Sequence, residues 1–279
     1  MSPGRSATIR ALRPDDLSGA LAANDAVGWR ERRVLFEFYG ARDDTALFVA
    51  EVDGVIAGTA GATAFRGAPA TGWVHGIVVR PDHQRAGLGA RLTEAAIAWL
   101  RRHSVGAVLL LATEAGRPLY ERLGFIAGER YGAFAWPKGG ADQGATTGRL
   151  GSGQLAAVCA LDREATGEDR SGFIASLAEW GWVATRGADV VGFHLACPWG
   201  GGPTIARDAA TGLVLLRLSS CVQRRPSPTL GLPEPNAAAA QYLGRLGITA
   251  ERHVTRMWLG VPPRWRPDMI FGVFNFGVA

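Results

Sequence analysis

The sequence predicts a mixed α/β fold made of two similar halves. Strand and helix patterns alternate along the chain, and its 279 residues are enough for about two domains. In addition, Arg122-Leu123-Gly124-Phe125 is repeated as Arg245-Leu246-Gly247-Ile248, at an offset of 123 residues. We therefore expect a first domain over residues 1–137, a glycine-rich linker over 138–153 and a diverged second copy over 154–279.

The composition indicates a soluble globular protein. Charged residues make up 20% of the chain and apolar residues 47%, which is too apolar for disorder and too charged for a membrane bundle. The net charge is +5, and every basic residue except Lys138 is an arginine. These arginines are spread evenly, which we attribute to coding bias. We expect neither nucleic-acid nor membrane binding, whereas a small polyanionic ligand stays open.

Several features favour a cytoplasmic location. Residues 1–9 lack the apolar core of a secretory signal, and the longest apolar stretch, 105–112, is shorter than the ~20 residues that a membrane span requires. Cys159, Cys197 and Cys221 are odd in number and form no CxxC pair, which favours a reducing compartment and argues against structural zinc. We predict that all three are buried as small apolar residues.

The first half contains five strand patterns, four helix patterns and a hairpin. Strands are indicated by alternating apolar residues and helices by apolar residues at every third or fourth position. Asp53-Gly54 suits a tight two-residue hairpin turn with positive φ. The predicted strands are 8–12, 46–52, 55–65, 73–79 and 107–112, the helices 15–27, 30–39, 88–103 and 116–123, and the hairpin 125–136.

The second half repeats this order in a weaker form. With the offset set by the repeated motif, Thr113 aligns with Asn236, Gly116 with Ala239 and Phe125 with Ile248. The predicted strands are 181–185, 190–197, 203–206, 229–232 and a terminal strand 269–278, and the predicted helices are about 170–180, 209–221 and 236–246.

The segment 73–92 carries the most information about function. A strand leads through Pro81 into a glycine-rich turn and then directly into an amphipathic helix. The first turn of a helix exposes unpaired amides and about half a positive charge, so a turn that brings its backbone close makes a cradle for phosphates. Arg85 and Arg91 can add charge at its rim. A dinucleotide-binding loop would need glycine at Leu92, and a P-loop would need lysine, so both are disfavoured.

Gln84-Arg85-Ala86-Gly87-Leu88-Gly89 resembles the Q/R-x-x-G-x-G/A signature of the GNAT superfamily of acyl-CoA-dependent N-acyltransferases. Residues 112–125 are similar to that family's second cofactor motif. The resemblance is strong over residues 7–137 and looser over 154–279, as in tandem GNAT proteins with a degenerate second domain. It implies two GNAT folds, each a central mixed, mostly antiparallel sheet flanked by helices, with acetyl-CoA as co-substrate and no metal.

The resemblance also implies which residues bind acetyl-CoA. The main-chain amides of the turn would hold the pyrophosphate, and the pantetheine would pair with the preceding strand like an additional strand. The expected contacts are Ile77, Val78, Val79, Gln84, Arg85, Ala86, Gly87, Leu88, Gly89, Ala90, Thr113, Gly116 and Tyr120.

Acyl transfer from a thioester to an amine requires a neutral amine, a polarised carbonyl and a proton for the thiolate. A bulge at Gly76 would free a main-chain amide of the following residues to polarise the carbonyl. Tyr120, at the position of the family's tyrosine, would protonate the thiolate. His75 is the candidate base, while Glu114, a relay through water and an amine that arrives neutral are alternatives.

The second half departs from the signature at the turn itself. Residues 207–212 place Ala210 at the first glycine position and Asp208 where phosphates would lie, so binding of CoA is disfavoured there. In addition, Leu243 rather than Tyr242 aligns with Tyr120. One active site is therefore expected, and the second half would close its acceptor pocket. The candidates for that pocket are Trp180, Trp182, Trp199, Trp258, Trp265 and the strand 269–278, opposite Trp29, Phe36 and Tyr39, with at most one or two of these tryptophans touching the substrate.

These observations predict an N-acetyltransferase that moves an acetyl group from acetyl-CoA to a primary amine, most simply of a small molecule, by direct attack. A non-catalytic acyl-CoA sensor or regulatory module is the alternative, and turnover with a panel of amines separates the two. The acceptor, the acyl length and the oligomeric state are not specified by the sequence.

Overall fold

The computed structural model describes residues 7–137, 146–224 and 229–279, which form thirteen strands and eight α-helices. The strands are β1 (Ala7–Ala11), β2 (Thr45–Val52), β3 (Val55–Phe65), β4 (Thr71–Val79), β5 (Ala107–Thr113), β6 (Ile126–Phe134), β7 (Thr146–Arg149), β8 (Gly181–Arg186), β9 (Asp189–Leu195), β10 (Thr204–Ala206), β11 (Leu230–Pro233), β12 (Ala250–Gly260) and β13 (Ile270–Gly272). The helices are α1 (Leu17–Asp25), α2 (Arg33–Gly40), α3 (Leu88–Arg102), α4 (Arg117–Arg122), α5 (Leu155–Thr166), α6 (Ser171–Leu177), α7 (Ala209–Cys221) and α8 (Ala237–Arg245).

The larger sheet has eight strands in the order β1-β2-β3-β4-β5-β12-β6-β11. All neighbouring strands are antiparallel except β4 and β5, which are parallel. Asp53 and Gly54, which join β2 to β3, both have positive φ (50° and 79°), as the sequence predicts for this tight turn. The predicted mixed, mostly antiparallel sheet is confirmed.

The two halves of the chain exchange strands in this sheet. β12, from the second half, lies between β5 and β6 of the first half, and β11 pairs with the other side of β6. The repeat offset makes β11 equivalent to β5 and β12 equivalent to β6. Each half therefore places its β6-type strand beside the β5-type strand of the other, and the repeat seen in the sequence becomes a pseudo-twofold arrangement.

The smaller sheet has five antiparallel strands in the order β13-β10-β9-β8-β7. A buried cluster joins the two halves, with Trp73 and Tyr131 from the first and Phe173 and Phe193 from the second. Within the described residues, no helix has both the length and the apolarity needed to cross a membrane.

α3 is the amphipathic helix that follows the glycine-rich turn. Its residues Leu88, Leu92, Ala96 and Leu100 recur every four positions and are all buried against the larger sheet. Arg101 and Arg102 lie in the last turn, where positive charge interacts favourably with the helix dipole. The helix end that faces the turn is therefore held rigidly on the sheet.

Two of the predicted strands are wrong in detail. Residues 125–136 form a single strand, β6, and no hairpin, because the neighbouring position is taken by β12, which the sequence patterns did not reveal. The terminal strand is limited to Ile270–Gly272, because the side chain of Asn275 accepts hydrogen bonds from the amides of Gly277 and Val278 and turns the chain. α5 was also not predicted.

The remaining differences concern the predicted linker and the cysteines. Residues 138–145 of the linker lie outside the described residues, and Thr146–Arg149 form β7, which pairs with β8. Cys197 is buried as predicted, Cys159 is half-buried and Cys221 is exposed, so the prediction is wrong for Cys221. Its position at the last residue of α7, where the helix leaves the core, accounts for this exposure.

If β12 joins the two halves, damage to it should destabilise the whole chain. The side chain of Met257 in β12 is fully buried among first-half residues such as Leu92 and Leu110. Replacing Met257 by Ala should lower the free energy of unfolding by about 2–5 kcal/mol, because buried contacts are lost and a cavity remains. Denaturant unfolding should still show one transition, with its midpoint shifted.

Val261→Ala is the matched control, because that side chain is 83% exposed and its loss should cost less than about 0.5 kcal/mol. Two separate transitions, with only one of them shifted by Met257→Ala, would contradict a shared sheet.

Candidate active site

The glycine-rich turn presents unpaired amides at the start of α3. Gly87 precedes the helix with φ at 76°, and Arg85 also has a positive φ, 63°. No side chain caps this helix end, and within the described chain no protein group accepts a hydrogen bond from the amides of residues 85–90. Six consecutive amides and the positive end of the helix dipole therefore form a cradle suited to an anion.

The turn is held in place by polar and apolar contacts around it. The Gln84 side chain donates to the carbonyl of Val79 at 3.0 Å and so ties the turn to the end of β4. A Cβ on Gly89 would lie 3.3 Å from a methyl carbon of Leu119, so glycine lets α3 approach α4 closely. Arg91, expected at the rim, instead donates to the carbonyl of Ala7 in β1 at 2.8 Å.

β4 and β5 diverge immediately before the turn. They pair only over Thr71–Trp73 and Ala107–Leu109, after which β4 remains paired with β3 and β5 with β12. Ile77, Val78 and Val79 lie on the diverging part of β4, where no described strand pairs with the side that faces β5. Unpaired main-chain groups along such an edge can bind an extended chain.

A bulge lies in β4 at Gly76, as the sequence predicts. The register with β3 shifts at this point, Gly76 has a φ of 61°, and the Thr59 hydroxyl donates to its carbonyl at 3.0 Å. A positive φ of this size is unfavourable for other residues, which explains the glycine.

Tyr120 lies on α4, beside the start of α3. Its ring packs edge to face on Phe125 and belongs to the same buried cluster as Leu88. The hydroxyl has no protein partner among the described residues and is not among the fully buried unpaired atoms. Burial raises the pKa of Tyr120 to about 12, so the phenol keeps its proton at neutral pH. Gly116, whose amide bonds to Thr113, leaves room for the ring.

His75 is the ionisable group at the bulge. Its ring stacks on Tyr39, with 4.4 Å between the ring centroids, and its Nε2 lies 3.0 Å from the Thr63 hydroxyl. Burial lowers the pKa of His75 to about 3, because the imidazolium would lose its hydration. The ring is therefore neutral at physiological pH.

A chain of hydrogen bonds determines the tautomer of His75. The Thr63 hydroxyl lies 3.2 Å from that of Thr45, which donates to Asp44 at 3.3 Å. A carboxylate only accepts hydrogen bonds, so Thr45 donates to Asp44, Thr63 donates to Thr45, and the Nε2–H of His75 donates to Thr63. Arg42 holds the far end of this chain with two hydrogen bonds to Asp44. Nδ1 is thus the nitrogen of His75 that carries the lone pair.

His75 and Gly76 line a cavity between the two halves. The first half supplies the three predicted aromatic walls, Trp29, Phe36 and Tyr39, and the second half supplies part of the predicted segment 269–278 together with Arg252, which was not expected. None of the five candidate tryptophans lines this cavity, although Trp199 lines the adjoining groove. The second-half residues in the cavity are Arg252, Asn275, Phe276 and Gly277.

The predicted site residues thus occupy successive positions along β4. The cradle lies at its carboxyl end, the diverging edge at Ile77–Val79 and the cavity at His75 and Gly76. Tyr120 and the exposed Glu114 do not line the cavity. An extended molecule held at the turn could therefore run along β4 and reach the cavity at the bulge.

Both halves of the chain match models of one protein family. A model of the acetyltransferase (GNAT) family matches residues 15–125, and a model of an acetyltransferase (GNAT) domain matches residues 158–272. The chain belongs to the GNAT acetyltransferase family. It is a tandem GNAT protein, and proteins of this family use acetyl-CoA as co-substrate. No curated protein matches the sequence.

Solved structures share the tandem GNAT fold over nearly the whole chain. A protein from Pyrococcus horikoshii that is classed as an acetyltransferase is 19% identical, with a TM-score of 0.83 over 98% of this chain and 96% of that one. A GCN5-related N-acetyltransferase from Sphaerobacter thermophilus is 17% identical, with a TM-score of 0.62 over 95% and 98%. Identities this low support the fold and not the substrate.

The second GNAT half has neither the uncapped helix start nor the unpaired strand edge of the first half. The Asp208 side chain accepts hydrogen bonds from the amide and hydroxyl of Thr211, so the start of α7 is capped by the protein's own carboxylate. In the second half, the strand equivalent to β4 is β10. On the side of β10 that corresponds to the side of β4 facing β5, β10 pairs with β13. The phosphate position and the strand edge are therefore both filled from within the chain.

Several polar residues at the site were not identified from the sequence. Thr63 and Asp44 belong to the hydrogen-bond chain of His75, and Arg32 and Arg252 line the cavity. β3 is a long strand of small and apolar residues that is buried at every position after Val55, which is a usable signal that the hydroxyl of Thr63 is buried. No signal identifies Arg252, because its position depends on the insertion of β12 between β5 and β6.

The hydrogen-bond chain predicts an observable state of His75. Long-range ¹⁵N–¹H spectra of histidine-labelled protein should show a neutral ring protonated on Nε2 between about pH 5 and 8, because its pKa is lowered to about 3. Thr63→Val should allow both tautomers, while Thr63→Ser should preserve one. Comparison with His75→Gln assigns the signal. A ring that titrates near pH 6.5 would contradict the burial and the chain of donors.

Proposed function

We propose that the first half of the chain transfers an acetyl group from acetyl-CoA to a primary amine, and that the second half is not catalytic. The observation that carries this proposal is the continuous path along β4, from six unpaired amides past an unpaired strand edge to a cavity that contains a neutral histidine. Asp208 fills the equivalent cradle in the second half, which supports a single active site.

The residues present are suited to holding acetyl-CoA. The amides of residues 85–90 would bind its pyrophosphate, with Gln84 supporting the turn, and residues 77–79 would pair with the pantetheine. Thr113, Gly116 and Tyr120 would border its thioester end. When bound, acetyl-CoA supplies an acetyl group that is activated as a thioester.

His75 would accept a proton from the amine through Nδ1. A ring with a pKa of about 3 is a weak base, so it gains the proton only as the N–C bond forms and the amine becomes acidic. A main-chain amide after the bulge at Gly76 would donate to the carbonyl oxygen as it gains charge. Tyr120 would donate its phenolic proton to the departing sulfur.

The alternative function, an acyl-CoA sensor without turnover, requires the same cradle. It gives no role to a histidine with a directed lone pair beside an aromatic cavity. Release of free thiol from acetyl-CoA in the presence of a panel of amines separates the two functions. A sensor would bind CoA and release no thiol above the rate of hydrolysis.

Cofactor affinity should depend on the left-handed conformation at Gly87. Gly87→Val should weaken binding of CoA, measured by calorimetry, by about tenfold or more, because a branched residue costs at least about 1–2 kcal/mol at positive φ and would open the turn. Gly187→Val is the matched control, because Gly187 has a φ of 62° and open surroundings but lies in the turn between β8 and β9. Equal CoA affinity in a folded Gly87→Val protein would exclude the cradle.

Turnover should depend on the hydroxyl of Tyr120. Tyr120→Phe retains the packing on Phe125 and should lower kcat by about tenfold or more with little change in CoA affinity, because only the proton donor is lost. Thiol release and calorimetry on the same preparation provide the two measurements. Unchanged kcat would remove Tyr120 from the mechanism and leave the cradle unaffected.

A further inference from the structure

Two arginines line the cavity without an ion pair to any acidic side chain that the structure describes. Arg32 immediately precedes α2, and Arg252 reaches the same cavity from β12. Neither side chain forms a hydrogen bond or an ion pair with any residue in the ranges that the structure describes. Neither Asp nor Glu is among the described residues that line this cavity.

The surroundings of Arg32 and Arg252 are aromatic. The guanidinium of Arg32 lies 4.9 Å from the ring centroid of Trp29, and that of Arg252 lies 4.7 Å from that of Phe276. These contacts hold each guanidinium group over the face of an aromatic ring, and an uncharged ring does not neutralise the positive charge. Glu31, which precedes Arg32, lines the adjoining groove, and Glu251, which precedes Arg252, opposes through its charge the lowering of the Arg252 pKa by burial.

Two other arginines of this protein have acidic partners, whereas Arg256 is buried beside the rings of Trp258 and Trp265. Arg170 is buried against Asp162 at 2.6 Å, and Arg42 is held by Asp44 at the same distance. Burial lowers the pKa of Arg32, Tyr39 opposes this shift, and the charge of Arg252 lowers the pKa further, so the two cations lie close enough to interact. Guanidinium groups stay protonated in proteins, so the unpaired positive charge persists.

We propose that the acceptor amine carries an acidic group, a carboxylate or a phosphate, that binds between Arg32 and Arg252. This inference rests on the proposed function, because it concerns the acceptor of the same site. The amine would lie at Nδ1 of His75, and the aromatic walls would contact the carbon skeleton between the two groups. Arginine matches the planar arrangement of oxygens in carboxylates and phosphates.

The same arrangement disfavours polycationic acceptors. A polyamine would bring further positive charge next to two unpaired guanidinium groups in a partly buried cavity, where repulsion is poorly screened. An amino acid or an amino-sugar phosphate instead compensates the charge that the protein leaves unpaired.

The test compares acidic acceptors with neutral counterparts of the same shape. Phenylalanine and phenylalaninamide form the carboxylate pair, and glucosamine 6-phosphate and glucosamine form the phosphate pair. Binding to the full chain is measured by calorimetry, and thiol release from acetyl-CoA is measured separately. The acidic member of at least one pair should bind about tenfold or more tightly than its neutral counterpart. The pair that responds distinguishes the two sources of negative charge.

Variants assign this preference to the two arginines. Arg32→Gln and Arg252→Gln should each remove most of the preference for the acidic member and change binding of the neutral member little. Arg33→Gln is the matched control, because Arg33 is the next residue along the chain, is exposed and pairs with Glu37. It should leave both affinities unchanged.

The outcomes separate this inference from the proposed function. Acid-dependent binding that requires Arg32 and Arg252, without thiol release, would support the anion site and count against acetyl transfer. Thiol release without preference for either acid, or no binding of either acid, would overturn the anion site. Loss of the preference in Arg33→Gln as well would overturn the assignment to these two arginines.

Discussion

The site of this protein depends on a local failure of main-chain hydrogen bonding. Folded chains pair nearly all of their amides and carbonyls, because an unpaired group that is removed from water is costly. Here six amides at the start of α3 have no partner within the part of the chain that the structure describes, and neither does the nearby edge of β4 beyond its divergence from β5. The unpaired groups remain accessible at the surface of a rigid sheet, where an extended ligand with phosphates can satisfy them.

The second half shows how the same fold removes such a site. Asp208 caps α7, and β13 pairs with β10, so a carboxylate and a strand of the chain replace the ligand that the first half leaves room for. This half has another structural role. It contributes β12 to the larger sheet and the segment around Asn275, whose side chain bonds to Tyr39 on the far wall of the cavity. The degenerate half is therefore needed to complete the cavity of the first.

The ionisable residues that line the cavity differ in charge, because the histidine is neutral and the two arginines are positive. His75 is held neutral by burial, and a carboxylate at the far end of its hydrogen-bond chain directs its proton away from Nδ1. Arg32 and Arg252 stay positive at the aromatic wall and form no ion pair with the residues that the structure describes. A neutral acceptor of protons and two cations line the same cavity, so under the proposal a bound molecule would direct its amine to His75 and its acidic group to the arginines.

Local sequence determined the elements whose geometry is set within a few residues. The glycine-rich turn and α3, the turn at Asp53-Gly54, the bulge at Gly76 and the filled cradle at Asp208 were all predictable, because positive φ and helix capping depend on neighbouring residues. Tertiary structure alone decided the exchange of β12, the single strand where a hairpin was expected and the meeting of Arg32 with Arg252. These features depend on pairing between strands more than a hundred residues apart, and alternation of apolar residues specifies that a strand forms without specifying its partner.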